Sequence, residues 1–109
     1  MTKRKPTIPG VGPDAPIVTA ANGAQQSQSP YRCDLLPGQA TLHVAGVFAY
    51  GADKYGDNNW RGIELKDHLN HVLTHILAHL AGDVSDDHLG HAACRMLMGL
   101  EKYLEATTI

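Results

Sequence analysis

Histidine and aspartate side chains are concentrated in one short stretch of the sequence, between residues 67 and 91. This stretch holds six of the seven histidines: His68, His71, His75, His79, His88 and His91. The aspartates among them are Asp67, Asp83, Asp86 and Asp87. Carboxylate and imidazole groups that converge on one place suit a divalent ion, Mg²⁺ or Mn²⁺ where the carboxylates dominate. The stretch therefore predicts a metal or phosphate site, although a single histidine at a helix boundary is more often a half-exposed side chain bonded to water.

A predicted helix from about residue 64 to 81 positions four of these histidines. Their spacing of three and four residues places them in one narrow sector of the helix, beside a broad apolar arc. The arc consists of Leu65, Leu69, Val72, Leu73, Ile76, Leu77 and Leu80. Gly82 is expected to end this helix, because glycine favours the left-handed conformation that follows many helices.

The next predicted helix begins at Ser85 or Asp86, since both are good N-cap residues, and runs to about residue 104. Its core stripe consists of Leu89, Ala93, Met96, Leu97, Leu100 and Leu104. Antiparallel packing of the two helices brings the end of the first histidine stripe towards His88 and His91, around the acidic turn that joins the helices.

A loop is predicted between Gly51 and Gly62, because Gly51 is expected to end an earlier helix that begins near Pro37. This loop is rich in side chains that bind nucleotides: cations for phosphate, an amide for a base or sugar, and aromatic planes for stacking. They are Lys54 and Arg61, then Asn59, then Tyr55 and Trp60. The simpler interpretation is that the two aromatic side chains only hold the loop against the helices.

Length and composition predict one small all-α domain in a chain of 109 residues. Five of the six prolines lie in residues 1–30, so we expect a flexible arm there and a helical domain over residues 31–109. Only three helices of useful length are predicted. We therefore expect a small helical bundle that is completed by oligomerisation, as a homodimer or homotetramer.

Charge and hydropathy argue against two classes of partner. The formal net charge of -2 leaves no basic face for nucleic acid. No apolar run approaches the ~20 residues that span a bilayer, so no membrane partner is expected. Two distant cysteines, Cys33 and Cys94, and the lack of a secretory leader pattern predict reduced thiols and a cytoplasmic protein, in the host cytoplasm if phage-encoded.

Several short motifs resemble those of one family of nucleotide hydrolases. They are Asp34-Leu35-Leu36-Pro37, Tyr50-Gly51-Ala52, Lys54-Tyr55-Gly56, Asn59-Trp60, His75, Gly82-Asp83 and His88-Leu89-Gly90-His91-Ala92. Over about residues 31 to 105 the chain resembles the phage and bacterial dATP/dGTP diphosphohydrolases, which are related in reaction to the MazG-like all-helical nucleotide pyrophosphohydrolases. The resemblance implies metal-dependent cleavage of a purine deoxynucleoside triphosphate between its α and β phosphates, which gives the monophosphate and pyrophosphate.

Residues and resemblance together give a specific hypothesis for the site. One or two Mg²⁺ or Mn²⁺ ions would be held by His75, Asp83, Asp86, Asp87, His88 and His91. The candidate catalytic residues are Asp83, Asp86 and Lys54. The candidate substrate-binding residues are Asp34, which belongs to the family motif, and Lys54, Tyr55, Asn59, Trp60 and Arg61.

Two other functions fit the same residues. A histidine and aspartate metal phosphohydrolase would release whole triphosphate and leave a nucleoside. A regulatory protein would bind a nucleotide or a metal ion through the histidine stripe without catalysis.

Overall fold

Three α-helices are the main elements of the chain. The computed structural model describes residues 8–107. The helices are α1 (Gly38–Tyr55), α2 (Leu65–Leu80) and α3 (His88–Thr107). Short 3-10 turns lie at Cys33–Leu35 and Asn59–Gly62, and a small hairpin pairs β1 (Ile17–Thr19) with β2 (Gln25–Ser27). The predicted predominance of helices is therefore confirmed.

The chain divides into two compact units, with the boundary between Leu36 and Pro37. The first unit contains the antiparallel hairpin, in which Ile17 pairs with Ser27. Gly23, at φ +91°, lies in its turn, and the Ala20 amide donates to the Ala24 carbonyl at 2.8 Å. The sequence did not indicate these strands, because Gln25–Ser27 lacks the β-branched and aromatic residues that mark a strand. Part of the expected arm, residues 1–7, lies outside the described residues.

Helix α1 passes through Gly51 and ends four residues later, so the prediction that Gly51 stops it was wrong. Glycine inside a helix costs only about 1 kcal/mol relative to alanine, which the rest of an 18-residue helix offsets. Gly56 ends the helix instead, at φ +96°, and its amide donates to the Ala52 carbonyl at 2.8 Å. Lys54 and Tyr55 are consequently helical, and only the segment after them is a turn.

The turn predicted between α2 and α3 is confirmed, and hydrogen bonds of its backbone and side chains end one helix and begin the next. After α2, the Gly82 amide donates to His79 and the Asp83 amide donates to Ala78, which is the pattern of a Schellman motif. At the start of α3, the Asp87 carboxylate accepts from the Gly90 amide at 3.1 Å. Asp87 therefore acts as the N-cap, one or two residues later than expected.

Small residues on α3 bring it close to α2 in an antiparallel pair. Contacts between the two helices run in opposite order along the chain, since His75 meets His88 and His68 meets Arg95. A methyl group added at Gly99 would lie 3.1 Å from the Leu65 side chain. The buried residues of α3 are His88, Gly90, Ala92, Cys94 and Gly99.

The side of α2 that faces α3 carries both a histidine and members of the apolar arc. His68 is fully buried, Val72 is 9% exposed, and Leu65 lies against Gly99. Five other members of the arc are 38 to 74% exposed: Leu69, Leu73, Ile76, Leu77 and Leu80. The predicted core stripe of α3 is likewise exposed, at Leu89, Met96, Leu97, Leu100 and Leu104. We call these ten residues the leucine face. Within one chain they are not buried, because α3 packs against α2 through small residues.

Within residues 8–107, none of the helices combines the length and the apolar character that crossing a bilayer requires.

Replacing Gly90 with alanine is expected to destabilise the protein by about 1–3 kcal/mol. An added methyl group would overlap the Asp87 carboxylate and lie 2.8 Å from His43 Nε2. Gly51→Ala is the matched control: nothing lies within 4 Å of its added methyl group, so it should stabilise α1 by about 0.5–1 kcal/mol. Urea denaturation measures both free energies of unfolding. Equal effects of the two variants would contradict this packing.

Candidate functional site

A cavity of about 910 Å³ lies within the helical unit, between α1, the turn at Asn59–Gly62 and the α2–α3 pair. Its polar lining consists of Lys54, Asn58, Asn59, His71, His75, Asp86, His91 and Arg95, with Asp57. The larger apolar side chains of its lining are Val47, Phe48, Tyr50, Tyr55, Trp60, Ile63 and Met98. Small-molecule sites in proteins have volumes of roughly 300–1,000 Å³, so the cavity is large enough for a nucleotide.

Three of the predicted metal ligands form a chain of hydrogen bonds that ends at the cavity. The Asp83 carboxylate lies 2.5 Å from His88 Nε2, and His88 Nδ1 lies 2.9 Å from His75 Nδ1. His88 is 9% exposed, and His75 is half-buried and lines the cavity. Asp83 itself is exposed, in the turn before α3.

The protonation states along this series of hydrogen bonds follow from Asp83, which lies at its exposed end. Hydrogen bonds from Ser85 and from His88 lower the pKa of Asp83 to about 2, so its carboxylate is ionised and accepts a hydrogen bond from His88 Nε2–H. In neutral His88, Nδ1 is then an acceptor, and His75 Nδ1 carries the shared hydrogen. His75 Nε2 is consequently left as a lone pair, and no described residue bonds to it.

Burial holds His75 in its neutral form. Desolvation, followed by the neighbouring His91 and His88, lowers the pKa of His75. Its ring stacks on that of His91, with centroids 5.1 Å apart and planes at 18°. A neutral imidazole with a free Nε2 at a cavity wall is suited to accept a proton.

The remaining predicted ligands form separate pairs. His91 Nε2 lies 3.4 Å from the Asp86 carboxylate, and His43 Nε2 lies 2.5 Å from Asp87. His43 lowers the pKa of Asp87. Among the described residues, no group of three or more His, Cys, Asp or Glu side chains is arranged to hold a metal ion. The donor types suit a divalent ion, but their geometry does not fit one, because each aspartate is directed at its own histidine.

The two cations of the predicted loop, Lys54 and Arg61, have different surroundings. Lys54 lines the cavity, with its Nζ 5.1 Å from the centre of the Tyr55 ring, and the hydrogen bond with Tyr55 raises the pKa of Lys54. Arg61 is not part of the lining. It stacks 4.4 Å from the centre of the Trp60 ring and pairs with Glu105 at 2.5 Å.

The turn at Asn59–Gly62 is held by a buried histidine. His68 Nε2 bonds to the Trp60 carbonyl at 3.0 Å, and His68 Nδ1 accepts from Arg95 at 3.2 Å. Phe48 and His68 both meet the Trp60 ring edge to face, each with centroids 6.4 Å apart. Trp60 therefore packs between α1 and α2, as the simpler interpretation expects, and it also lines the cavity.

Asp34 belongs to the first unit, where Arg32 bonds to both of its carboxylate oxygens, at 3.0 and 2.8 Å. This pairing lowers the pKa of Asp34. Tyr55 and Asn59, two of the candidate substrate-binding residues, line the cavity.

Comparison with known proteins identifies the family. The family model described as dATP/dGTP diphosphohydrolase, N-terminal, matches residues 20–109. The chain belongs to this family. A dATP/dGTP diphosphohydrolase of Salmonella phage PMBT28 is 33% identical over 79 residues, which make up 72% of this chain and 27% of that relative. The chain thus spans about a quarter of the relative's length. No solved structure matches it.

Two residues of this N-terminal domain's site were missed by the sequence reasoning. Arg95 lines the cavity from α3, and His43 pairs with Asp87 from α1. The α3 pattern placed Arg95 beside the predicted core stripe, and His43 lies outside the histidine-rich stretch. The signal that could have found Arg95 is its spacing from His91, one helical turn away.

We expect the pKa of His68 to be lower than that of an ordinary histidine, because burial lowers it from 6.5. A lowered histidine pKa means that the unfolded chain binds the proton first. The His68 contribution to stability is therefore complete above pH 6.5 and declines as the pH falls below that value. NMR titration of the histidine ring protons tests this, with a histidine-containing model peptide as the reference. A His68 pKa at or above the reference would contradict the burial of the ring.

Proposed function

We propose that this domain takes part in hydrolysing a purine deoxynucleoside triphosphate, dATP or dGTP, to the monophosphate and pyrophosphate. The observation that carries the proposal is the series of hydrogen bonds from Asp83 through His88 to His75. It leaves His75 Nε2 unprotonated, and His75 lines a cavity of nucleotide size. Family membership supports the substrate class, since the relative's name is dATP/dGTP diphosphohydrolase.

In the proposed reaction, His75 Nε2 acts as the general base. A water oxygen attacks the α-phosphorus, the bond to the pyrophosphate oxygen breaks, and the water proton passes to His75. His88 and ionised Asp83 stabilise the resulting imidazolium. Lys54 neutralises charge on the leaving pyrophosphate, and Tyr55, Trp60 and Asn59 contact the base and sugar.

Mg²⁺ or Mn²⁺ is proposed to reach the site with the triphosphate, as part of the substrate. Such an ion neutralises phosphate charge and so favours both binding and attack. Chelation by EDTA is expected to abolish turnover, and added Mn²⁺ should restore it. The fold should not change, because no described residues form a metal group that supports it.

The hydrolysis itself gives a direct prediction with a matched control. Purified protein with dGTP or dATP and Mn²⁺ should release monophosphate and pyrophosphate, and His75→Gln should lower kcat about 10²–10⁴-fold. His79→Gln removes a histidine one turn further along α2, outside the cavity lining, and should leave kcat unchanged. Chromatography of the products measures turnover and identifies the bond that breaks.

The products also separate the alternatives. Nucleoside and triphosphate would support the phosphohydrolase. Binding of dGTP without any turnover would support the regulatory protein, and both results would contradict the proposal.

We also propose that a second copy of the chain covers the leucine face. Ten large apolar side chains that are each at least 38% exposed form a patch of a kind that marks protein interfaces. Two copies of an antiparallel helix pair can bury such faces against each other as a four-helix bundle.

The double variant Leu73→Glu, Leu77→Glu is therefore expected to be monomeric where the unchanged chain is a dimer or tetramer. Burying glutamates at this interface would cost several kcal/mol. Leu42→Glu, at an exposed leucine of α1 outside the face, is the control and should keep the oligomer. Light scattering after size-exclusion chromatography measures the mass. A monomeric unchanged chain would contradict the proposal.

A further inference from the structure

We infer that Arg95 is a phosphate-binding residue of the cavity and that buried His68 is the positioning residue that holds it ready. The inference rests on the proposed function, because it names how the same site recognises a polyphosphate. It adds a residue that neither the family motifs nor the loop pattern indicated.

The surroundings of Arg95 leave its guanidinium available to an anion. Arg95 is half-buried on α3 and lines the cavity. Its hydrogen-bond partner is the neutral ring of His68, at 3.2 Å, and no carboxylate among the described residues pairs with it. An arginine has five N–H donors, so one bond to His68 leaves most of them unused. A half-buried cation without a counter-charge is favourable where an anionic ligand supplies that charge.

Arg61 makes the contrast clear. Its guanidinium is already paired with Glu105 at 2.5 Å and stacked on Trp60. Arg61 therefore has its counter-charge and lies outside the lining, whereas Arg95 has none and lies within it.

His68 fixes the orientation of Arg95 through its tautomer. The ring is fully buried, and its Nε2 must carry the hydrogen because it faces the Trp60 carbonyl at 3.0 Å. Nδ1 is then a lone pair that can only accept, and it accepts from Arg95. One buried ring thus links Arg95 to the turn that carries Trp60, so that two parts of the cavity wall share a single support.

The cavity supplies a second cation from another helix. Lys54 lies on α1 and Arg95 on α3, and both line the same space. Asp86 also lines this space, and after the larger effect of the Tyr55 hydrogen bond its attraction contributes to raising the pKa of Lys54. Two cations on different helices suit a ligand with several negative charges, such as the triphosphate part of a nucleotide.

The test measures binding of inorganic tripolyphosphate to the full chain by isothermal titration calorimetry. Arg95→Gln should raise the dissociation constant about 10–100-fold, because hydrogen bonds to charged groups are lost. Arg95→Lys keeps the charge and should stay closer to the unchanged chain. Lys66→Gln removes an exposed cation of α2 outside the cavity lining and should leave binding unaltered.

Two variants of His68 separate positioning from general stability. His68→Gln places an amide near the Nε2 position and keeps the Trp60 bond, whereas His68→Asn places an oxygen near the Nδ1 position and keeps the Arg95 bond. We expect His68→Gln to weaken tripolyphosphate binding more than His68→Asn does. Equal weakening by both variants, in proportion to lost stability, would overturn the positioning role.

The outcomes distinguish this inference from the proposed function. If the unchanged chain hydrolyses dGTP, and Arg95→Gln binds tripolyphosphate as tightly as the unchanged chain does, the inference alone is overturned. Tripolyphosphate binding that depends on Arg95, without turnover of any nucleotide, would overturn the hydrolase proposal and support the inference. Absence of tripolyphosphate binding by the unchanged chain would overturn the role of Arg95.

Discussion

The helical unit depends on one buried imidazole with both nitrogens bonded. His68 has no exposed surface, and it joins the Trp60 carbonyl on one side to Arg95 on the other. A buried polar ring is costly without partners, so these two bonds restrict how α2, α3 and the turn at Asn59–Gly62 can pack together. Trp60 and Arg95 both line the cavity, so one ring supports two parts of its wall. The two hydrogen bonds of His68 therefore constrain both the packing of the helices and the candidate site.

The same packing places His68 and Val72 inward on α2, while most of its leucines are exposed. Small residues of α3 allow this close approach: Gly99 lies against Leu65 and the Cβ of His68. Close packing of rings then sets their protonation, since each inward histidine has a specific partner. Asp83 anchors one such series: its low pKa keeps the carboxylate ionised, so that His88 Nε2 carries the hydrogen between them and His75 Nε2 keeps its lone pair.

The sequence predicted the three helices, but not the contacts among the candidate site residues. Gly82 and the acidic turn were identified because their signals are local. The end of α1 was misplaced because Gly51 alone does not say whether a helix continues. The histidines were expected to converge on a metal ion, and spacing along two helices cannot reveal that Asp83, Asp86 and Asp87 each meet a different histidine. Arg95 was missed because its importance depends on the absence of a carboxylate nearby, which is a property of the packed structure.

We propose that the cavity beside Trp60 binds the nucleotide, with its phosphates near Lys54, Arg95 and His75. NMR spectroscopy of the labelled chain with a non-hydrolysable α,β-methylene analogue of dGTP tests this binding mode. We expect shifts of the Trp60 indole N–H, the Arg95 guanidinium signals and the His75 ring, while Leu73 and Leu77 methyl groups on the leucine face stay unchanged. Shifts confined to the leucine face or to the first unit, with none at Trp60, would contradict it.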